Sequence, residues 1–444
     1  MTILGGRALD PGLAGAARRA RLEARAAGGR ALLATAFAFS LILPGYFFVG
    51  PLRLSPLLLL LLASFPPLVL LWAGGRAGGV RLPDLMVLGA ALWAALSLLV
   101  NEGVGQGWEP AGIVVLQTFG AYLIGRHGIR GPAAMARLAL TGAVIVGLLL
   151  PFALYEALTG VALYLALFAE LGPALAPIET PGRLGLDRAQ AAFEHPILYG
   201  IFVSSTFALA WTALQHPASR MAVGLMIGLA TFVSLSTGAL LCLAVQIGLL
   251  AWGGLLRRLA ARWLVLALLV LAGYATVDLL SNRTPFQVFA SYLTLNPQSA
   301  FNRVLIWEHG SAEVLRNPLL GIGLGGWERA EWMPGSVDMF WLLIAMRHGL
   351  PAVALLGGAF LLLMWRAARR RDLDPVSARL RLGLIVSLVG VSTAIWSVHL
   401  WNASYCWMMF LAGCLGWLAE EEEACPRQGA PAGPAPPKTR RTWL

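Results

Sequence analysis

Two stretches of this chain concentrate residue types able to do acid–base and phosphate chemistry. The first, GRLGLDRAQAAFEHPILYG from Gly182 to Gly200, sets Arg183, Asp187, Arg188, Glu194 and His195 directly before an apolar run. Guanidinium forks match phosphate oxygens, which makes Arg188 a candidate oxyanion grip. Pro196 suits the first turn of a helix, where its missing N–H is not needed. A helix is therefore expected to start on Glu194-His195 at the water boundary, where Glu194 also has a structural reading as a favourable charge at a helix N-terminus.

The second stretch runs SAFNRVLIWEHGSAEVLRNPLLGIGLGGWERAEWMPGSVDMFWLLIAMRHGLPA from Ser299 to Ala352. Arg303, Trp307 and Val314 recur at helical spacing, so an amphipathic helix is expected to end near Arg316, stopped by Asn317-Pro318. Gly321, Gly323 and Gly326 then show the GxGxxG spacing of dinucleotide-binding loops. That motif requires a preceding strand and a following helix. Here the glycines follow a helix and no strand crossover is available, so a nucleotide site is rejected. What remains is a tight turn that lets backbone pack closely, with N–H groups that can act as an anion-binding nest.

The elements that position these residues lie in a bilayer. Of 444 residues 58% are hydrophobic and 12% charged, which does not describe a soluble protein. A membrane-crossing helix needs roughly 20 mostly apolar residues. About twelve such runs recur, at 31–49, 57–73, 85–100, 111–125, 138–156, 197–213, 221–237, 239–256, 263–281, 340–365, 382–400 and 404–419. The expected fold is an all-α polytopic membrane protein: a basic segment 1–30, a transmembrane domain 31–419 and a disordered tail 420–444. The lipid bilayer is its first partner, and the first run is read as an uncleaved helix.

The net charge of +11 does not point to nucleic acid, because its Arg clusters sit between apolar runs and occupy every second loop. Arg76 and Arg81, Arg126 to Arg137, Arg220, Arg257 to Arg262, and Arg366 to Arg371 mark those loops. Positive loops stay cytoplasmic, which places both termini inside. Two longer loops, about 159–196 and 282–339, then fall on the outer face and are expected to be packed, the larger one partly helical. Ionisable residues at membrane depth are site candidates by default, among them Glu156, Asp278 and His399, although groups near an interface can snorkel to water. Cys242, Cys406, Cys414 and Cys425 show no CxxC or Cys/His ligand spacing, so neither a disulfide framework nor a zinc site is expected.

The order of the motifs is more specific than any one of them. RxxxxFxHPxxxG (Arg188 to Gly200) precedes one span. RxxxW (Arg303 to Trp307), NPLxGxGxGxW (Asn317 to Trp327) and an apolar run closed by RxGLPA (Arg347 to Ala352) follow. This arrangement resembles the O-antigen ligase/polymerase superfamily of bacterial membrane glycosyltransferases over about residues 183–352. The resemblance implies transfer of an oligosaccharide from an undecaprenyl diphosphate carrier to a growing glycan or a lipid A core, at the periplasmic face of the inner membrane, without metal, nucleotide or other cofactor. Arg188 and Arg303 match the positions that grip the diphosphate, supported by Arg183, Glu194, Trp307 and Arg347.

Such a reaction needs cations where leaving-group charge grows and a base near the acceptor hydroxyl. The family's usual His-Asn pair before the tenth span is replaced here by Asp338-Met339. Asp338 and His195 are the two candidate bases, and Asp338 can alternatively cap span ten. The departure favours a polysaccharide polymerase or a divergent ligase. A secondary transporter or a lipid-linked glycan flippase is the alternative, expected to show broken helices with ionisable groups near the midplane.

Overall fold

The computed structural model describes residues 28–419, except 51, 77, 283–287, 289–296 and 334. Most of the basic first segment, the acidic tail with Cys425, and part of the second loop lie outside the described residues. Helix α1 spans 28–40, and β1 (Phe47–Val49) pairs antiparallel with β2 (Leu52–Leu54). The expected span 31–49 is therefore corrected: Pro44-Gly45 ends the helical stretch and the chain turns into a hairpin. Then come α2 (Pro56–Ala73), α3 (Leu82–Val115), a π turn, α4 (Ala121–Gly128), α5 (Pro132–Thr159), α6 (Leu163–Ala169), α7 (Pro196–Ala213) and α8 (Pro217–Val233). The remaining helices are α9 (Thr237–Leu255), α10 (Arg262–Leu280), α11 (Pro297–Arg316), α12 (Phe340–Arg369), α13 (Pro375–Ala394), α14 (Asn402–Cys414) and α15 (Gly416–Ala419).

Eight helices among the described residues are long and apolar enough to cross a membrane. One of them, Leu82–Gly128, holds two of the expected runs. At Gly103 its backbone takes φ 73°, ψ 158°, a region open essentially to glycine, and the chain folds back. Ala95 and Leu98 consequently pack on Ala111 in one cluster.

Helix α12 breaks in the same way at Gly349, with φ 80°, ψ 172°. Its short limb ahead of Gly349 folds beside its longer limb: a Cβ on Gly357 would lie 3.7 Å from the Trp341 ring, and Val353 packs against the cluster to which Leu342, Leu343 and Met346 belong. The limb 350–369 is about 30 Å long at the helical rise, enough for a hydrocarbon core. The expected run 340–365 thus holds parts of two limbs, 340–348 and 350–369, which its hydropathy does not separate.

The largest of three buried clusters among the described residues draws its members from every helix except α6, α10 and α11. Helices α4 and α14 approach so closely that a Cβ on Gly125 would lie 2.1 Å from the Phe410 carbonyl oxygen, the small-residue contact typical of membrane helices. The buried Asp84 carboxylate accepts from Arg126 Nε at 3.2 Å and from Tyr122 Oη at 2.5 Å, tying the start of α3 to α4. Cys242, Cys406 and Cys414 are free and buried.

Candidate active site

The glycine-rich loop is the platform of the site. Ile322 N donates to Met346 O at 2.8 Å, Gly323 N to Arg347 O at 3.0 Å and Leu350 N to Pro318 O at 2.8 Å. Helix α12 opens at Gly349, and the NPLLGIG segment takes up the backbone groups that the break releases. Three side chains of α3 fasten this joint. Trp93 Nε1 donates to Leu319 O (3.0 Å) and His348 O (3.1 Å). Ser97 Oγ lies 2.6 Å from Leu320 O and 2.9 Å from Arg347 O, and Asn101 Nδ2 donates to Leu320 O at 3.2 Å. With Gly321 N on Asn317 O, Gly325 N on Ile322 O and Leu324 N on Glu102 Oε1, the N–H groups from 321 to 325 all have protein partners. The expected anion nest is therefore corrected: close packing is what this loop's glycines supply.

Three arginines and one acid act on one another in sequence, Asp338 on Arg303, Arg183 on Arg303 and Arg183 on Arg188. Asp338 precedes α12, Arg303 lies on α11, and Arg183 and Arg188 come from the segment before α7. Asp338 is open to solvent yet ringed by protein, and the resulting loss of hydration raises its carboxyl above the ordinary aspartate range, with nearby Arg303 opposing the rise. Arg303 is lowered by burial, supported by Asp338 and opposed by Arg183. Burial, then the charge of Arg183, brings Arg188 down to about 10, so it stays cationic at neutral pH. Arg188 Nε and Nη2 and Arg303 Nε are buried without a hydrogen-bond partner among the described residues. Arg183 Nη1 donates to Leu235 O at 2.7 Å. Unsatisfied buried guanidinium N–H groups are costly, and they are the groups an oxyanion would satisfy. Helix α12 is capped at Met339 without a side-chain bond, so Asp338 does not spend its carboxylate as a cap.

His195 and Glu194 diverge. His195 is the N-cap of α7, and its Nδ1 accepts from Ile197 N at 3.1 Å, so the helix starts one residue past the expected pair. Burial, then Arg188 and Arg183, push its imidazole down to about 4. Glu194 Oε1 instead accepts from Asn402 Nδ2 at 3.0 Å, and its pKa is raised by burial. The carboxylate of Glu156 accepts from Gln190 N and Ala191 N and holds Ala191 at φ 48°. Glu156 is thus a structural brace for the arginine segment.

Arg347 faces His348 and His399 rather than Asp338. Trp307 is 38% exposed on α11. Arg347 lines a pocket with His348 and His399, in which Phe340, His399 and Trp401 form a row of rings that continues to His195, with centroids 6.2, 5.5 and 6.1 Å apart. Sequence reading missed Trp93, Ser97, Asn101 and Asn402. A signal existed for two of them, since Ser97 and Asn101 are polar groups one helical turn apart at the end of an apolar run. Among the described residues no group of three or more His, Cys, Asp or Glu side chains is placed to hold a metal ion. No protein-family profile and no curated protein sequence matches the chain.

Proposed function

We propose that this protein is a membrane glycosyltransferase of the O-antigen ligase/polymerase kind. It moves an oligosaccharide from undecaprenyl diphosphate to a glycan or lipid A core acceptor at the periplasmic face of a bacterial inner membrane. The observation that carries this reading is a run of neighbouring charges in which Asp338 faces Arg303, Arg303 faces Arg183 and Arg183 faces Arg188, with buried guanidinium N–H groups of Arg188 and Arg303 unpartnered. In the reaction the acceptor hydroxyl oxygen bonds to the anomeric carbon as the bond from that carbon to the diphosphate oxygen breaks. The acceptor proton passes to Asp338, and the electron pair leaves on the diphosphate, where Arg188 and Arg303 meet the growing charge.

Asp338 suits the base better than His195. Its carboxylate has no hydrogen-bond donor among the described residues, and its raised pKa brings its basicity toward neutral pH. His195 is held neutral and weakly basic, with one ring nitrogen used by the helix cap. In this reading the chain makes twelve crossings with both termini cytoplasmic, counting the two limbs of Leu82–Gly128 separately and the shorter helices α1, α8 and α14 as crossings. The test is a gene deletion analysed by its glycan ladder. Single unpolymerised repeats indicate a polymerase, and accumulated carrier-linked chains a ligase. Complementation with Arg303→Lys should restore little, because Lys keeps the charge and loses the fork. A full ladder from that variant at normal protein level would remove the clamp.

The adjacent breaks in α3 and α12 favour a second reading, a secondary transporter or flippase with its site at discontinuous helices. It predicts transport of a labelled substrate by proteoliposomes without bond formation.

A further inference from the structure

A space of about 140 Å³ lies between α3, α12 and the segment leading into α14, lined among others by Gln117, Thr118, Arg347, His348, His399 and Trp401. It is far larger than one water needs. None of its lining residues is acidic. Arg347 makes no ion pair or side-chain hydrogen bond among the described residues, and His348 Nδ1 and His399 Nδ1 are buried without partners. Its backbone is nonetheless fixed, since Arg347 O accepts from Gly323 N and lies 2.9 Å from Ser97 Oγ. The remaining wall is apolar, with Ala90, Ala94 and Leu356.

A half-buried guanidinium facing such a wall without a counter-ion has lost part of its hydration, and an oxyanion would supply the partner it lacks. We infer that this pocket binds an anionic oxyacid group, a phosphate or a carboxylate, gripped by Arg347 with His348, His399 and Gln117 as neutral donors. His399 is pushed down to about 3 by burial and by Arg347, so it enters as a neutral imidazole whose N–H can donate. The inference is separate from the transfer reaction, because none of Arg183, Arg188 and Arg303 lines this pocket.

The test is binding of radiolabelled inorganic phosphate to the full chain in neutral detergent, read by scintillation proximity. Wild type should saturate, and Arg347→Gln should weaken binding roughly tenfold to a hundredfold, the effect of losing a charge-assisted hydrogen bond. Arg188→Gln with Arg303→Gln should leave that binding in place, which separates it from the proposed donor site. His399→Phe keeps the ring stack and removes the donor, and should cost roughly two- to tenfold; it decides the matter if Arg347→Gln does not fold. Competition by phosphatidic acid in phosphatidylcholine nanodiscs assigns a lipid headgroup, and competition by glucuronate a soluble or sugar acid; either agrees with the pocket. No saturable binding by wild type, or binding lost with Arg188 and Arg303 but kept in Arg347→Gln, overturns it.

Discussion

Replacing Gly349 with alanine should disable this protein from a position with no chemistry of its own. Gly349 sits at φ 80°, ψ 172°, where a non-glycine residue costs about 1–3 kcal/mol. Its new Cβ would lie 2.0 Å from Leu319 O and 2.4 Å from Leu319 C. Backbone atoms cannot swing away as a side chain end would, so the NPLLGIG loop must retreat, at a cost of about 1–3 kcal/mol for overpacking. Together these give a loss of about 2–6 kcal/mol, and the retreat would also loosen the bonds from Ile322 N and Gly323 N to α12. The assay is thermal unfolding in detergent of Gly349→Ala beside Gly248→Ala, a helical glycine with nothing within 4 Å of an added Cβ. The control should be neutral or up to about 1 kcal/mol more stable. Equal melting of Gly349→Ala and wild type, with normal glycan assembly, would refute the idea that the break in α12 is held by glycine and organises the site.

Other outcomes follow from the same geometry. Ser97→Ala removes the hydroxyl between Leu320 O and Arg347 O and should destabilise by about 1–3 kcal/mol, read by the same melt. Asp84→Asn removes a charge partner of Arg126, whose side chain is 1% exposed; about 3–5 kcal/mol should be lost, visible as reduced folded yield. The acid limb of the pH–rate profile should lie above the ordinary aspartate range, since Asp338 is raised and acts only when deprotonated, so activity falls as pH drops through its pKa. That limb should survive in His195→Asn, which keeps an N-cap acceptor, and its loss there would favour His195 as the base. Asp338→Asn should be at least as stable as wild type at neutral pH: a carboxyl whose folded pKa is raised favours folding below its unfolded pKa and loses that contribution as pH rises through the folded value.

Much of this arrangement could be read locally. Arg188, Arg303 and Asp338 were legible because each stands beside an element boundary with its own chemistry: a proline-started helix, an amphipathic repeat, and the edge of an apolar run. The helix ending at Arg316 follows from its spacing and from Asn317-Pro318. The extra limb before Gly349 was not legible, because 340–365 is apolar except at Arg347 and His348 and hydropathy carries no direction; the Gly-Leu-Pro inside it was the available warning. Nor was the division between Arg303 and Arg347. Both read as cations near the outer face, and only the fold puts Arg347 in the pocket with His348 and His399 while Arg303 faces Asp338 and Arg183. The role of Glu156 depends on a turn more than 30 residues away, at Gln190 and Ala191, and no local pattern announces that contact.

The central claim is that Asp338, among Arg183, Arg188 and Arg303, carries out glycosyl transfer. It is tested most directly with purified protein in liposomes supplied with undecaprenyl diphosphate-linked oligosaccharide and acceptor, by counting undecaprenyl diphosphate released per glycosidic bond formed. Wild type should release one per bond, and Asp338→Asn should bind the donor normally while losing at least about a hundredfold in rate, as expected for a general base. Turnover by Asp338→Asn at the wild-type rate, or donor crossing the bilayer with no bond formed, would contradict the account.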